Sequence, residues 1–331
     1  MARTISGPEF KIIWAVDPGV HPRLQEAAMS AIKELSKKTQ ATIEPVFLLG
    51  TFLTSTPTQT IGDAITLTRN TIVQKFKKIT GRSTLEDLKP LTILTGTARS
   101  MRRNAAKLTD YAKSQNTDVI VLATHGRKGL KRWFLGSFAE SMMQQSEIPL
   151  LIVNPYWKRT SDFRTILFPT DFSDESKDAY LKVVDFAKTS GSRIILFHKI
   201  SLVITPELHL MLTHYPEYER IRDREVADCR ARAISWSQEG MQGGVNVTVS
   251  VDDRGASSVA DTVLNHQKRT GGIIALASRS EDTPPFLMGR TTRAIIQHTT
   301  SAVWMLHPPK SASARALSPK ATQSGRFKTA A

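Results

Sequence analysis

The stretch "THGRKGLKRWFLGSFAE", residues 124–140, crowds Arg127, Lys128, Lys131 and Arg132 between Gly126 and Gly136 and closes on Ser137 at the entry to a helix-like run. Glycines let backbone N–H groups approach an oxyanion closely. A hydroxyl at a helix start sits beside the positive end of the peptide dipoles. These residue types would serve phosphate binding. Turn chemistry is the competing reading: Gly126 ends a strand, Gly136 turns, Ser137 caps a helix, and the four cations decorate a solvated loop. Spacing alone leaves both open.

The elements that must position this loop are legible in the periodicity. "KIIWAVD" (11–17), "IEPVFLL" (43–49), "PLTILTG" (90–96), "DVIVLAT" (118–124) and "PLLIVN" (149–154) are short β-branched apolar runs bounded by turn residues, which predicts buried strands. Between them "PRLQEAAMSAIKELSKK", "AITLTRNTIVQKFKKI", "ARSMRRNAAKLTDYAKSQ" and "FAESMMQQ" have helical apolar spacing. Alternating strand and helix predicts a parallel sheet covered on both faces. Ligands of such sheets sit outside the carboxyl ends of the strands where the strand order reverses. Gly126 and Gly136 follow the fourth strand and fall at that edge.

The order then repeats: "TILFPTD" (165–171), "RIILFHKI" (193–200), "VNVTVSV" (245–251), "GIIALAS" (272–278) and "AVWML" (302–306). Each half has a long second connection with an extra helix, and each third strand leads to a glycine, Gly96 or Gly255, before the next helix. Two copies of one domain, residues 8–155 and 162–308, account for the 331-residue length. Residues 309–331 carry five basic and no acidic side chains and little apolar content, which predicts a disordered basic tail. The fifth strands "PLLIVN" and "AVWML" have edges that pair either between domains or between chains.

A net charge of +15 favours anionic partners: nucleotides, nucleic acid or acidic membranes. The lone Cys229 can form no internal disulfide and supplies no thiolate cluster; it reads as a structural residue in a helix. The N-terminus lacks the apolar core of a secretory signal, and no apolar run approaches the roughly 18 residues of a membrane span, so a cytoplasmic protein is expected. No Walker motif, metal-ligand cluster or nucleophile elbow is present, so at most slow turnover is expected and no metal ligands are assigned.

"VIVLATHGRKGLKRWFLGSFAESMMQQSEIPLLIVN" resembles the segment between the fourth and fifth strands of the universal stress protein family. Nucleotide-binding members carry Gly, two residues, Gly, nine residues, Gly and then Ser or Thr. "ILFPTDFSDESKDAYLKVVDFAKTSGSRIILFH" is similar to the family's first strand, first helix and second strand. The resemblance spans about residues 8–307. It implies an α/β fold of two tandem, doubly wound, parallel five-stranded sheets of Rossmann-like, universal stress protein type, packed as an intramolecular pseudo-dimer. It further implies adenine-nucleotide contacts at Ala15, Val16 and Asp17, at Ala123, His125, Gly126 and Arg127, at Gly136, Ser137 and Phe138, and in the second half at Thr170, Asp171 and Gly289. Asp17 and Asp171 would accept a hydrogen bond from the adenine amine. Turn chemistry competes at Asp17, in "DPG", and helix capping at Asp171.

The match departs from the family pattern at the first glycine, which is Ala123 here. The second half departs further: Ala277 and Ser280 stand for glycines, Arg290 for the hydroxyl residue, and Pro284 and Pro285 remove backbone donors. The resemblance therefore implies ATP or a related adenine nucleotide bound mainly by domain one, any Mg²⁺ arriving with the triphosphate, and a stress-response role. A non-nucleotide scaffold that docks protein partners is the alternative. Nucleic acid is the less favoured anion because the tail's basic residues are sparse.

Overall fold

The computed structural model describes residues 10–17, 22–51, 58–81, 85, 87–97, 100–124, 136–155, 157, 163–200, 216–253, 257–277 and 289–307. Ten strands are present among the described residues: β1 Lys11–Ala15, β2 Thr42–Thr51, β3 Thr92–Thr97, β4 Val119–Ala123, β5 Leu150–Val153, β6 Thr165–Pro169, β7 Arg193–Lys199, β8 Val247–Asp252, β9 Ile273–Ala277 and β10 Val303–Leu306. The described helices are α1 Pro22–Thr39, α2 Thr58–Thr80, α3 Met101–Ser114, α4 Ser137–Gln145, α5 Asp174–Ser190, α6 Pro216–Gln242, α7 Val259–Thr270 and α8 Arg290–His298. The expected tail and the domain-two segment containing Pro284 and Pro285 lie outside the described residues, as does Gly255.

The expected α/β architecture is present, with one addition. The two five-stranded parallel sheets join edge to edge into a single ten-stranded sheet, ordered β3-β2-β1-β4-β5-β10-β9-β6-β7-β8. The join is antiparallel, with Val303 opposite Ile152, Trp304 opposite Leu151 and Met305 opposite Leu150. The fifth strands thus pair between the domains. Each half places its first strand beside its fourth, so the strand order reverses between β1 and β4 and again between β6 and β9.

Strands buried on both faces must be apolar throughout, and β4, β5, β9 and β10 are. Alternate side chains feed two core clusters, one on each face. One joins Ile12, Trp14 and Val121 with Phe168, Leu196 and Trp304; the other joins Ile13, Ile120 and Ile152 with Leu167, Ile274 and Val303. Both clusters run through both halves, so the domains share their main core; a small third cluster of Ile200, Val226 and Cys229 belongs to the second half alone. Gly96 lies within β3 rather than after it, and a Cβ there would come within 2.7 Å of the Asn104 Oδ1 on α3.

Hydrogen bonds cross the seam. Asn154 Nδ2 donates to the Thr299 carbonyl at 2.7 Å, Lys38 Nζ to the Ser190 carbonyl at 2.9 Å, and Arg293 meets Glu140 at 3.3 Å. His307 donates from Nε2 to the Met143 carbonyl at 2.9 Å, while its buried Nδ1 has no hydrogen-bond partner among the described residues. Burial pushes the His307 pKa down; Lys182 also lowers it, and the Met143 bond and Glu147 oppose the shift. As pH falls below about 6.5, the unfolded chain takes up a proton that the folded seam resists, and stability is lost. Urea unfolding at pH 7.5 and 5.5 should therefore give a lower midpoint at the acid pH. His307→Gln should reduce that loss by up to about 1.4 kcal/mol per pH unit; an unchanged pH dependence would remove His307 from this role.

Candidate functional site

The carboxyl ends of β1 and β4 lie side by side, Ala15 opposite Leu122, and bring two of the expected contact groups to one edge. Val16 is buried and donates its N–H to the Val46 carbonyl at 3.0 Å. Asp17 is exposed, and its carbonyl is held by Nε2 of the buried Gln25 at 2.7 Å, which fixes the chain as it leaves the sheet. Ala123, half-buried, ends β4, and Thr124 beyond it bonds the Val153 carbonyl through N–H at 3.0 Å. Phe138 and Ala15 both pack against the same core cluster. His125, Gly126 and Arg127 lie outside the described residues, as do Lys128, Lys131, Arg132, Trp133 and Phe134.

Among the helices whose starts are described, capping separates two kinds. α3, α5 and α7 begin on Ser100, Ser173 and Ser258, and each serine side chain accepts a first-turn N–H. α4 and α8 begin on Gly136 and Gly289 with no side-chain cap. Ser137 is therefore the first residue of α4 and not its N-cap, which corrects the capping reading of that residue. Both uncapped helices follow the strand at which the order reverses. Their first-turn N–H groups are the orphan donors of a helix start, carrying about half a positive charge.

In the second half an open crevice of about 640 Å³ lies at the equivalent edge. Its wall includes Thr170 and Asp171 after β6, His198 and Lys199 at the end of β7, and Gly289 to Thr292 at the start of α8. Asp171 is not an N-cap: its Oδ1 accepts from Ser173 N–H at 3.2 Å, Ser173 Oγ at 2.8 Å and Ser176 Oγ at 2.6 Å. Ser173 caps α5 in its place, because Phe172 turns the chain with a φ of 60° and delays entry to the helix. The three bonds converge on Oδ1 and tie that side of the carboxylate into its own turn, while Oδ2 keeps its own acceptor sites.

His198 was not singled out from sequence. Its Nδ1 donates to the Thr170 carbonyl at 2.7 Å, which leaves Nε2 as the acceptor facing Cys229 Sγ at 3.5 Å, and Phe172 lies over the ring at 4.9 Å. Burial raises the Cys229 pKa, and Glu225 adds to the shift, so this thiol stays protonated. Lys199 is likewise new: its side chain is 2% exposed and meets Asp252 at 3.6 Å. The sequence signal for both was the polar pair "HK" closing an otherwise apolar strand. Among the described residues no group of three or more His, Cys, Asp or Glu side chains could hold a metal ion, and no helix is long and apolar enough to cross a membrane.

The sequence matches the Universal stress protein family model twice, over residues 11–154 and 162–307. Among curated proteins, a universal stress protein of Methanocaldococcus jannaschii is 37% identical over 49 residues, a match spanning 15% of this chain and 29% of that relative's length. The fold is similar to the crystal structure of a universal stress protein from Archaeoglobus fulgidus, with a TM-score of 0.61 at 14% identity over 89% of this chain and 98% of the other. It is also similar to a functionally unknown protein from Pseudomonas aeruginosa, with a TM-score of 0.53 at 12% identity over 91% and 93%. The chain therefore belongs to the universal stress protein family and carries two of its domains in tandem.

Proposed function

We propose that this tandem universal stress protein is a cytoplasmic regulator that binds ATP or a related adenine nucleotide, mainly at the carboxyl edge of its first domain. The observation that carries the reading is the missing cap on α4. Where α3, α5 and α7 satisfy a first-turn donor with serine, α4 starts on Gly136 at the point of strand reversal. A phosphate takes the place of the missing cap. Asp17 and Ala123 flank the same edge, and Ser137 adds a hydroxyl at the first helical position. Any Mg²⁺ would be held largely by the triphosphate itself.

The second domain contributes less in this reading. It keeps the uncapped helix start, yet Asp171 is engaged within its own turn and Arg290 replaces the hydroxyl residue. Its main contribution is the shared sheet. Ligand-dependent stabilisation or partner docking would be the output, not turnover.

Isothermal titration of the full chain with MgATP tests the reading. Wild type is expected to release heat with about one site per chain, and Gly136→Asp should weaken binding at least tenfold by placing a carboxylate at the helix start. No heat from wild type would contradict the reading and leave the protein-docking scaffold.

A further inference from the structure

The ten-stranded sheet ends in two edges, β3 and β8, and they are finished differently. At β3, Arg69 and Lys107 donate to the Ile93 and Thr95 carbonyls at 3.4 and 2.6 Å. Cations along an edge strand keep it from pairing with another strand. β8 has no such guard. "VTVSVD" contains no lysine, arginine or proline, and it keeps a continuous register with β7 from Val247 to Asp252. The Asn246 and Asp252 carbonyls bond Ile194 and Ile200 on the β7 side, so by the two-residue period Val247, Val249 and Val251 turn their N–H and C=O outward. Those outward groups have no partner among the described residues.

Exposed apolar surface gathers at the same edge. Five large apolar side chains are exposed among the described residues, and three of them are Val249 at 37%, Ile234 at 51% and Met241 at 50%. Glu239 pairs with Lys177 of α5, which fixes the inward flank of α6. At about 100° per residue, Ile234 and Met241 lie roughly 140° and 160° around the helix from Glu239, on the flank over the open edge. A Cβ on Gly240 would meet Val247 Cγ2 at 2.7 Å, while Val226 and Cys229 pack with Val251. Ile234, midway between them on α6, therefore stands level with Val249.

We propose that this edge is a self-association surface, on which β8 pairs antiparallel with β8 of a second copy about a two-fold axis through Val249. In that register Val249 meets its counterpart and Val247 meets Val251, all in hydrogen-bonded pairs, while Thr248 meets Ser250 on the other face. α6 covers both β7 and β8, so its axis stands back from the edge. A setback of about half a strand spacing on each side, plus one spacing between the paired strands, sets α6 and its copy roughly 10 Å apart, the distance of packed helices. The seven-residue spacing of Ala227, Ile234 and Met241 makes the strip self-matching: Ile234 faces its counterpart, and the small Ala227 faces Met241. A lone peptide strand added to β8 would leave Ile234 and Met241 uncovered in the helix layer. A second copy brings its own helix and covers both. Charge favours the same occupant, since residues 216–252 hold five basic and seven acidic side chains in a chain of net +15. Arg230, on the same flank, comes close to the C-terminal turn of the copy's α6, the negative end of that helix. The strip is about 21 Å long and little more than one helix wide, below the roughly 800 Å² per partner of a standard interface, so the dimer is a weak one.

Sedimentation equilibrium of the full chain from about 1 to 300 µM tests the proposal. Wild type should pass from monomer to dimer with a dissociation constant on the order of 10 µM, and Ile234→Lys and Val249→Lys should each weaken it at least tenfold with the urea midpoint unchanged. Val249→Cys places two thiols on Cα atoms about 5.5 Å apart, within disulfide range. Mild oxidation should therefore trap a dimer of that variant and none of wild type, whose Cys229 is buried. A wild-type chain that stays monomeric throughout, a dimer indifferent to both lysine variants, or no trapped dimer overturns the proposal. A monomer that instead captures an extended peptide along β8 overturns it in favour of strand addition. These outcomes are independent of whether MgATP binds domain one.

Discussion

Gly272→Ala should destabilise the protein by about 4 kcal/mol, enough to leave a marginal domain partly unfolded. Gly272 has a φ of 80°, and a Cβ there would meet the Thr165 carbonyl oxygen at 2.1 Å and its carbon at 2.7 Å. That neighbour is backbone at the start of β6 and cannot swing aside. The same residue's carbonyl accepts from Ser301 Oγ and Gln267 Nε2, so any retreat also breaks the link between α7 and the approach to β10. Gly191→Ala is the control. Its φ is 65°, but nothing lies within 4 Å of the added carbon, so only the left-handed backbone penalty of about 1 kcal/mol remains. Urea midpoints measured at constant slope should separate the two. Equal losses would mean that backbone angle, rather than the clash, governs this position.

Trp304→Ala should cost about 3–5 kcal/mol and lower the stability of the whole chain, not of one half. Trp304 is 7% exposed on β10 and meets Phe186 edge-on, at 4.6 Å between ring centres. Around these two rings gather Phe10, Leu35, Val119 and Leu151 from the first half and Phe163 and Ile273 from the second. Removing the indole therefore opens a cavity in a core that both halves share. Scanning calorimetry should show one transition in wild type and one, shifted down, in the variant. Two transitions with only the second displaced would contradict a common core.

Legibility in the sequence followed the physics of burial. Strands such as "DVIVLAT" and "GIIALAS" stand out because both faces are covered and no polar residue can intrude; both lie where expected, β4 and β9. The antiparallel seam could not be read in the same way. "LLIV" and "VWML" look like any buried strand, and the contacts across the join, such as Phe10 against Phe186, bring together residues far apart in the sequence. Capping was ambiguous for another reason. "DFSDES" offers four capping-type residues around the start of α5, and the positive φ of Phe172, invisible in the sequence, selects Ser173 and turns Asp171 inward to the serines.

His198 escaped notice because a lone histidine in an apolar run reads as core, and its bond to the Thr170 carbonyl depends on two strands 28 residues apart in sequence. The distinction between capped and uncapped helices was equally hidden. Ser137 sits next to Gly136 and reads as a cap, but the helix begins one residue earlier than that reading requires, leaving a glycine where the cap would be. The missing side chain at that point is what the proposed anion site rests on.

Photolabelling with 8-azido-ATP, followed by peptide mapping of the intact chain, tests the location of the nucleotide most directly. The label is expected on peptides covering residues 11–17 or 119–153, suppressed by unlabelled ATP and lost in Gly136→Asp. Label confined to residues 162–307, or labelling that excess ATP does not suppress, would contradict binding at the first domain's edge.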